Sequence, residues 1–447
     1  MAKKSTRYIC VSCGQVYSSW VGRCSNCQEW NSLEEDLSPE QLSNSPISGN
    51  PLKPQAILKA PQKDTQRLKT NINDVDMVLG GGIVKASVNL LAGQPGIGKS
   101  TLLLQIANAV ANNHAKVLYV SAEESAHQVA MRSDRLKLKS SSLDLATSLV
   151  ADDIAATIIA NNYDLVVVDS IQAISLKQLN SAIGSISQII ATSQLLTKVA
   201  KQTATALIIV GHVTKEGNIA GPKVLEHAVD VVIELTGDRY GGFKILRAVK
   251  NRFGSTSEVG IFEMSASGLS QVTNPSKALL AERKDSEGSI VLATMEGSRP
   301  LLVEVQALVN KTSYGYPKRT ASGFSLNRLN LLIAMLEQRT KLKLDNKDVF
   351  INIAGGIDIN DPAADLAIVM AIGSADRGLK LNINAAVFGE LGLSGEIRRA
   401  PFMEKRVNEA SKLGFDTVIG PSYNKPIKGL NQTSDIRLAL NNYLTKT

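Results

Sequence analysis

Residues Gly93-Gln-Pro-Gly-Ile-Gly98-Lys99-Ser100 match the spacing G-x-x-x-x-G-K-[ST]. Glycines at these places let backbone N–H groups curl around phosphate oxygens, and the N-terminus of the helix that follows adds partial positive charge. The Lys99 ammonium would reach β- and γ-phosphates, and the Ser100 hydroxyl would ligate Mg²⁺. The expected nucleotide contacts are Gly93, Gln94, Pro95, Gly96, Ile97, Gly98, Lys99, Ser100 and Thr101, with ATP and Mg²⁺ as cofactors. Three strand ends offer polar groups to complete such a site. Asp169 closes the apolar run YDLVVVD, where a carboxylate can hold magnesium through water. Glu123 and Glu124 follow KVLYVSA, and one of them could polarise an attacking water; a solvated loop carboxylate is the plainer reading. His212 closes ALIIVGH, as a γ-phosphate sensor or a satisfied buried histidine.

All four cysteines fall in two C-x-x-C pairs, Cys10/Cys13 and Cys24/Cys27. Each pair can put two thiolates on one knuckle, and together they supply tetrahedral S₄ coordination for Zn²⁺. Two disulfides are the alternative, which a reducing cytosol disfavours. Four protein ligands leave no open position, so the expected metal role is structural. A third stretch poses the opposite problem. Residues 355–369, GGIDINDPAADLAIV, carry small residues and a proline at a helix start, a setting that often marks a site. Yet the Pro-Ala-Ala centre offers no Ser, Cys or His as a nucleophile.

These groups need scaffolds to hold them. A chain of 447 residues suffices for two or three domains, and no run reaches the ~18 apolar residues that span a membrane. No apolar segment follows the lysines of the N-terminus, so no signal peptide is expected and the location reads as cytoplasmic. Lys and Arg number 49 against 41 Asp and Glu, a net charge of +8 that suits a polyanion or a basic solvated surface. Residues 1–33 hold the cysteines. Residues 34–66, with five prolines and little periodicity, read as a linker. From 67 to 273 the runs SVNLLA, KVLYVSA, YDLVVVDS and ALIIVGHV alternate with helical patterns such as TLLLQIANAVANN, the signature of a parallel sheet covered on both faces. A second α/β region, with strands such as SIVLATM and VFINIAGG, occupies 274–447.

The phosphate loop, VSAEES, VVVDS and GHVTKEGNIAGPKVLEH together resemble a RecA-type ATPase core. With Leu79-Gly-Gly-Gly82, Lys250-Asn-Arg-Phe-Gly254 and the four-cysteine finger, the chain resembles the bacterial RadA (Sms) DNA repair family over essentially its full length. The resemblance implies an α/β fold: a RecA-like P-loop ATPase core with an N-terminal C4 zinc finger and a C-terminal Lon-protease-like domain. It implies a homo-hexameric ring that hydrolyses ATP between subunits, binds single-stranded DNA and branched recombination intermediates, drives branch migration and meets a RecA-type filament. No membrane is involved. On that comparison Glu123 activates water, and Lys250 and Arg252 reach the neighbouring subunit's γ-phosphate. Segments 177–187 and 214–223 face the axis, with Lys215 and Lys223 on DNA phosphates. One departure is Lys85-Ala86, where many members have Pro-Gly. In the Lon-like region Ala363 occupies the nucleophile position, and the partner lysine falls at or beside Glu404, so the protease dyad is expected to be absent. Basic residues there, including Arg319, Arg328, Lys341, Lys343 and Lys347, would offer duplex DNA a surface or simply coat an oligomerising domain. Two alternatives to the motor are a nucleotide-switched recombinase loader without translocation and an ATP-dependent protease.

Overall fold

The computed structural model describes residues 7–11, 13–36, 67–212, 224–237, 242–284, 286–313, 315–381 and 384–445. The expected linker beyond residue 36 lies outside the described residues, as do Lys215 and Lys223. The chain divides into two units, Met1–Lys63 and Asp64–Thr447.

In the first unit the strand Arg7–Cys10 pairs antiparallel with Val16–Tyr17 on one side and Leu33–Asp36 on the other. Among the described residues its apolar centre is Cys10, Cys24 and Leu33, with Tyr8, Tyr17 and Val21 packed around them. So small a cluster cannot offset the entropy of ordering the chain, so cohesion falls to the four cysteines.

The second unit is built on two sheets. Strands Val88–Gly93 (β1), Val117–Ser121 (β2), Leu143–Thr147 (β3), Leu165–Asp169 (β4), Ala206–His212 (β5) and Val231–Gly237 (β6) are parallel. Phe243–Asn251 (β7), Val259–Ser265 (β8) and Gly268–Gln271 (β9) extend them as an antiparallel meander. The order is β3-β2-β4-β5-β1-β6-β7-β8-β9. Crossover helices are Lys99–Asn112 (α1), Ala126–Arg135 (α2), Ala151–Asn161 (α3) and Ile186–Gln202 (α4). Each expected strand run and the TLLLQIANAVANN helix are present. The continuous apolar strands divide their side chains by alternation: Val117 and Tyr119 join the α1 face, Leu118 and Val120 the α3–α4 face. Each fully buried Val or Leu contributes about 1.5–3 kcal/mol.

The second sheet comprises Ser289–Glu296 (β10), Arg299–Lys311 (β11), Arg319–Ser322 (β12), Lys347–Ile353 (β13), Ala385–Val387 (β14), Thr417–Pro421 (β15) and Leu430–Thr433 (β16), in the order β12-β13-β11-β10-β14-β15-β16. Helices Leu326–Arg339 (α5), Asp365–Arg377 (α6), Met403–Lys412 (α7) and Ile436–Tyr443 (α8) cover it. One apolar cluster runs from Ile245, Val259 and Ile261 of the first sheet into Leu292, Val303 and Leu336 around the second. The buried Asp74 adds an ion pair across the same join, 3.0 Å from Arg299.

The Pro362-Ala-Ala364 centre forms a 3₁₀ turn leading into α6, with the Asp361 carboxylate accepting from the Ala363 N–H at 3.0 Å. Ala363 is buried among Ala386, Phe388 and Met403. Beside it Arg406 of α7, also buried, donates to Asp361 at 2.6 Å and to the Ala293 and Pro401 carbonyls. Asp361 also accepts from the Thr294 hydroxyl and the Met295 N–H. Burial would raise this carboxyl, but the Arg406 guanidinium outweighs it and holds the group below the usual carboxylate range. The ground around Ala363 is thus taken by packing and a satisfied ion pair. Of the basic residues expected on this region's surface, Arg328 pairs with Asp365 and Lys347 with Asp376, so both are spent inside the fold.

Candidate functional site

The C-terminal ends of β1, β2 and β4 meet at one edge of the first sheet, and four expected residues come together there. β1 ends at Gly93, where a side chain would collide with the Leu235 carbonyl 2.6 Å from the Cβ position. Gly98 caps α1 at φ +115°, a conformation that favours glycine. Lys99 opens α1 and folds back to donate to the carbonyls of Gly93 (2.9 Å) and Gln94 (3.0 Å). Burial lowers its pKa, and the nearby charges of Asp169 and Glu123 oppose the shift. Ser100 and Thr101 follow on the first turn.

Asp169 lies across from Ser121 in the β2–β4 ladder and accepts from the Tyr119 hydroxyl at 2.6 Å. Burial, and then the Asp169 charge, push the Tyr119 phenol well above its ordinary range, so it stays a donor. The Asp169–Ser170 peptide is cis. The Ser170 hydroxyl donates to Glu123, which ties the two strand ends together. The adjacent glutamates part company here. Glu124 is held bidentate by Arg132 of α2 at 2.6 and 2.7 Å, whereas Glu123 faces Ser170 and the phosphate loop. Sequence reasoning did not single out Tyr119, Ser170 or Arg132. Tyr119 and Ser170 were legible only as polar groups in or after apolar strands, and Arg132 as one of many helical cations.

Lys250 and Arg252 lie elsewhere. Lys250 pairs with Val232 across the β6–β7 ladder, and its ammonium donates to the carbonyls of Glu226 (2.6 Å), His227 (3.5 Å) and Val229 (2.8 Å). Arg252 pairs with Asp230 at 3.1 Å, and Asp230 in turn accepts from the Val88 N–H. Val88 begins β1 and Gly93 ends it, so this turn is separated from its own phosphate loop by about 16 Å of strand. The same turn touches the Leu79–Gly82 segment: Gly80 and Gly254 pass so close that a Cβ on either would lie 3.0–3.1 Å from the other's Cα. Arg67 fastens the contact by donating to the carbonyls of Leu79, Gly82 and Phe253. Two motifs that the sequence offered separately are one structural knot.

A cavity of about 440 Å³ adjoins the phosphate loop where the two sheets meet. Gly93 and Gln94 line it on one side, Gly356 and Asp358 of the glycine-rich stretch on the other, with Arg247 between Glu234 (3.1 Å) and Glu296 (3.6 Å).

In the first unit the four cysteine sulfurs lie within 4.8 Å of one another, with Sγ···Sγ distances of 3.5 Å for Cys10–Cys27 and for Cys13–Cys24. Tetrahedral Zn–S bonds near 2.3 Å require sulfurs about 3.8 Å apart, so the set fits zinc. The Tyr17 hydroxyl beside Cys24 draws its thiol down to about 6, which favours the thiolate at neutral pH.

Residues 54–218 match the AAA domain family, 8–35 the rubredoxin metal binding domain, and 320–424 subunit ChlI of Mg-chelatase. The DNA repair protein RadA of Halalkalibacterium halodurans is 46% identical over 95% of this chain and 94% of its own length. Those of Listeria monocytogenes and Bacillus subtilis are 44% and 45% identical, each over 95% of this chain and 93–94% of theirs. The crystal structure of the RadB recombinase aligns over 46% of this chain and 99% of its own, at 22% identity and a TM-score of 0.38. The fold is a RecA-like P-loop core with an N-terminal zinc ribbon and a C-terminal α/β domain. Such a core takes ATP with Mg²⁺, and a ribbon with four thiols takes Zn²⁺.

Proposed function

The chain belongs to the RadA family of DNA repair proteins, and from that premise we propose a DNA-dependent ATPase motor that assembles as a ring on single-stranded DNA and processes branched recombination intermediates. In this reading residues 67–273 are the motor, 274–447 a Lon-like domain that is no longer a protease, and 1–33 a zinc module. The backbone of Gly93–Thr101 and the Lys99 ammonium hold the nucleotide phosphates. Ser100, and Asp169 through water, would hold Mg²⁺, which would supply charge neutralisation for the phosphates. Glu123 orients and polarises the attacking water, with the Ser170 hydroxyl fixing its carboxylate.

The observation that carries the reading is the separation of the site's cations. Lys99 sits with Glu123 and Asp169 at one end of the sheet, while Lys250 and Arg252 sit at the other. Cations placed there are out of reach of their own chain's phosphate loop and would serve a neighbouring subunit's nucleotide, which would make turnover depend on assembly. The nucleotide-switched loader draws on a different observation: Lys250 and Arg252 are already engaged by carbonyls and a carboxylate of their own chain, a state suited to slow turnover. The protease alternative lacks both Ser at 363 and Lys at 404.

ATP turnover at low salt tests the three, measured alone, with single-stranded DNA and with unfolded polypeptide, against a Lys99→Ala control. Stimulation by DNA only is expected. Stimulation by polypeptide would sink the motor, and binding without stimulated turnover would favour the loader.

A further inference from the structure

A carboxylate that serves a metal must point one way, yet an aspartate at a strand end can turn about two side-chain bonds, the outer of them loosely restrained. Asp169 closes β4 and is only partly buried, so packing by itself leaves that freedom. Tyr119 of β2 removes it. Its phenol donates to Asp169 Oδ2 at 2.6 Å, in the short range of an O–H···O⁻ bond. Among the described residues this is the one hydrogen bond that the carboxylate accepts. The Tyr119 side chain is 2% exposed and lies in one apolar cluster with Leu104, Val129 and Val167. A ring so enclosed keeps one rotamer, so its hydroxyl stands at a fixed place.

The other acid of the site is held in the mirror sense. Tyr119 of β2 braces Asp169 of β4, while Ser170, just beyond β4, donates to Glu123, just beyond β2. The Ala122 N–H donates to the Asp169 carbonyl at 2.7 Å and locks the two strand ends together. Each carboxylate is therefore oriented by a hydroxyl from the opposite strand. We propose that Tyr119 is a positioning residue for magnesium: by tying down Oδ2 it fixes the direction in which Oδ1 of Asp169 is offered. The inference rests on the assignment of Asp169 to Mg²⁺ and adds the group that orients it. A buried phenol also needs an acceptor of its own, and a purely structural bond would meet that need. The two roles differ in what they do to the metal.

Binding of fluorescent mant-ADP to the full-length chain separates them. It is read in magnesium-free buffer, without chelator so that zinc stays bound, and again across a series of Mg²⁺ concentrations. Tyr119→Phe removes the hydroxyl and keeps the ring. It should leave the magnesium-free affinity unchanged and raise the Mg²⁺ half-saturation by roughly ten-fold, the scale on which losing the partner of a metal-binding group acts. Asp169→Asn should raise the half-saturation as well. Tyr119→Phe added to Asp169→Asn should raise it no further, because the phenol acts through the carboxylate. A half-saturation raised by Asp169→Asn but not by Tyr119→Phe would overturn the role of Tyr119 and leave the magnesium reading standing. No change with Asp169→Asn would overturn both. An affinity that falls equally with and without Mg²⁺ in Tyr119→Phe would reduce the bond to a structural one.

Discussion

The two glutamates after β2 show how little separates a catalytic candidate from a structural residue. Neighbouring residues of an extended turn point in different directions, so one carboxylate turns toward Ser170 and the phosphate loop while the other meets Arg132. Glu123→Gln should therefore retain ATP binding and lower turnover by about 10²-fold or more, the range of general-base contributions. Glu124→Gln should leave the chemical step nearly unchanged and act through stability, its ion pair with Arg132 being partly exposed. Single-turnover hydrolysis beside nucleotide binding separates the two, and equal losses would remove the distinction drawn between them.

Among the elements, the turn before α6 and its partner α7 show what occupies a place where protease chemistry was expected to be missing. Arg406 is buried and the Asp361 carboxylate nearly so, and both have their hydrogen-bonding capacity met by each other and by Thr294, Met295, Ala293 and Pro401. Arg406→Ala would strand a buried carboxylate and should destabilise the protein by about 3–5 kcal/mol in urea unfolding at neutral pH. The pH dependence follows from Asp361. Its folded pKa is depressed, so the pair's stabilisation is present above the unfolded carboxylate pKa and is lost as pH falls through the folded one. The penalty of Arg406→Ala should accordingly shrink as the solution is made acidic; a constant penalty would mean that the loss is packing alone. At the other sheet, Ala86 adopts φ +58°, the left-handed conformation that favours glycine. Ala86→Gly should stabilise by about 1 kcal/mol, seen as a higher denaturation midpoint with unchanged slope.

Across the whole molecule, the placement of Lys250 and Arg252 far from their own phosphate loop predicts complementation between subunits. On the proposed ring, Lys99→Ala chains would lack a working loop, and Arg252→Ala chains would lack the cation offered to a neighbour. Each alone should be nearly inactive, but a mixture should regain part of the turnover, because a mixed ring places an intact loop beside an intact Arg252. Mixtures no more active than the sum of their parts would show that Arg252 serves its own chain. Among the described residues no helix is long and apolar enough to cross a membrane.

The sequence by itself determined what depends on local spacing. The phosphate loop, the paired C-x-x-C knuckles, the strand–helix alternation and a Pro-Ala-Ala centre without Ser, Cys or His each need only a few neighbouring residues to be read. Tertiary structure decided what depends on residues far apart in the chain. It turned Glu123, and not Glu124, toward a serine 47 positions away, and it joined Gly80 to Gly254. It also set Lys250 and Arg252 at the far end of the sheet from Gly93, because β7 runs antiparallel to β6 and returns the chain to where β1 begins. Spacing along a chain fixes which groups share a turn; only the pairing of strands fixes which groups share an edge.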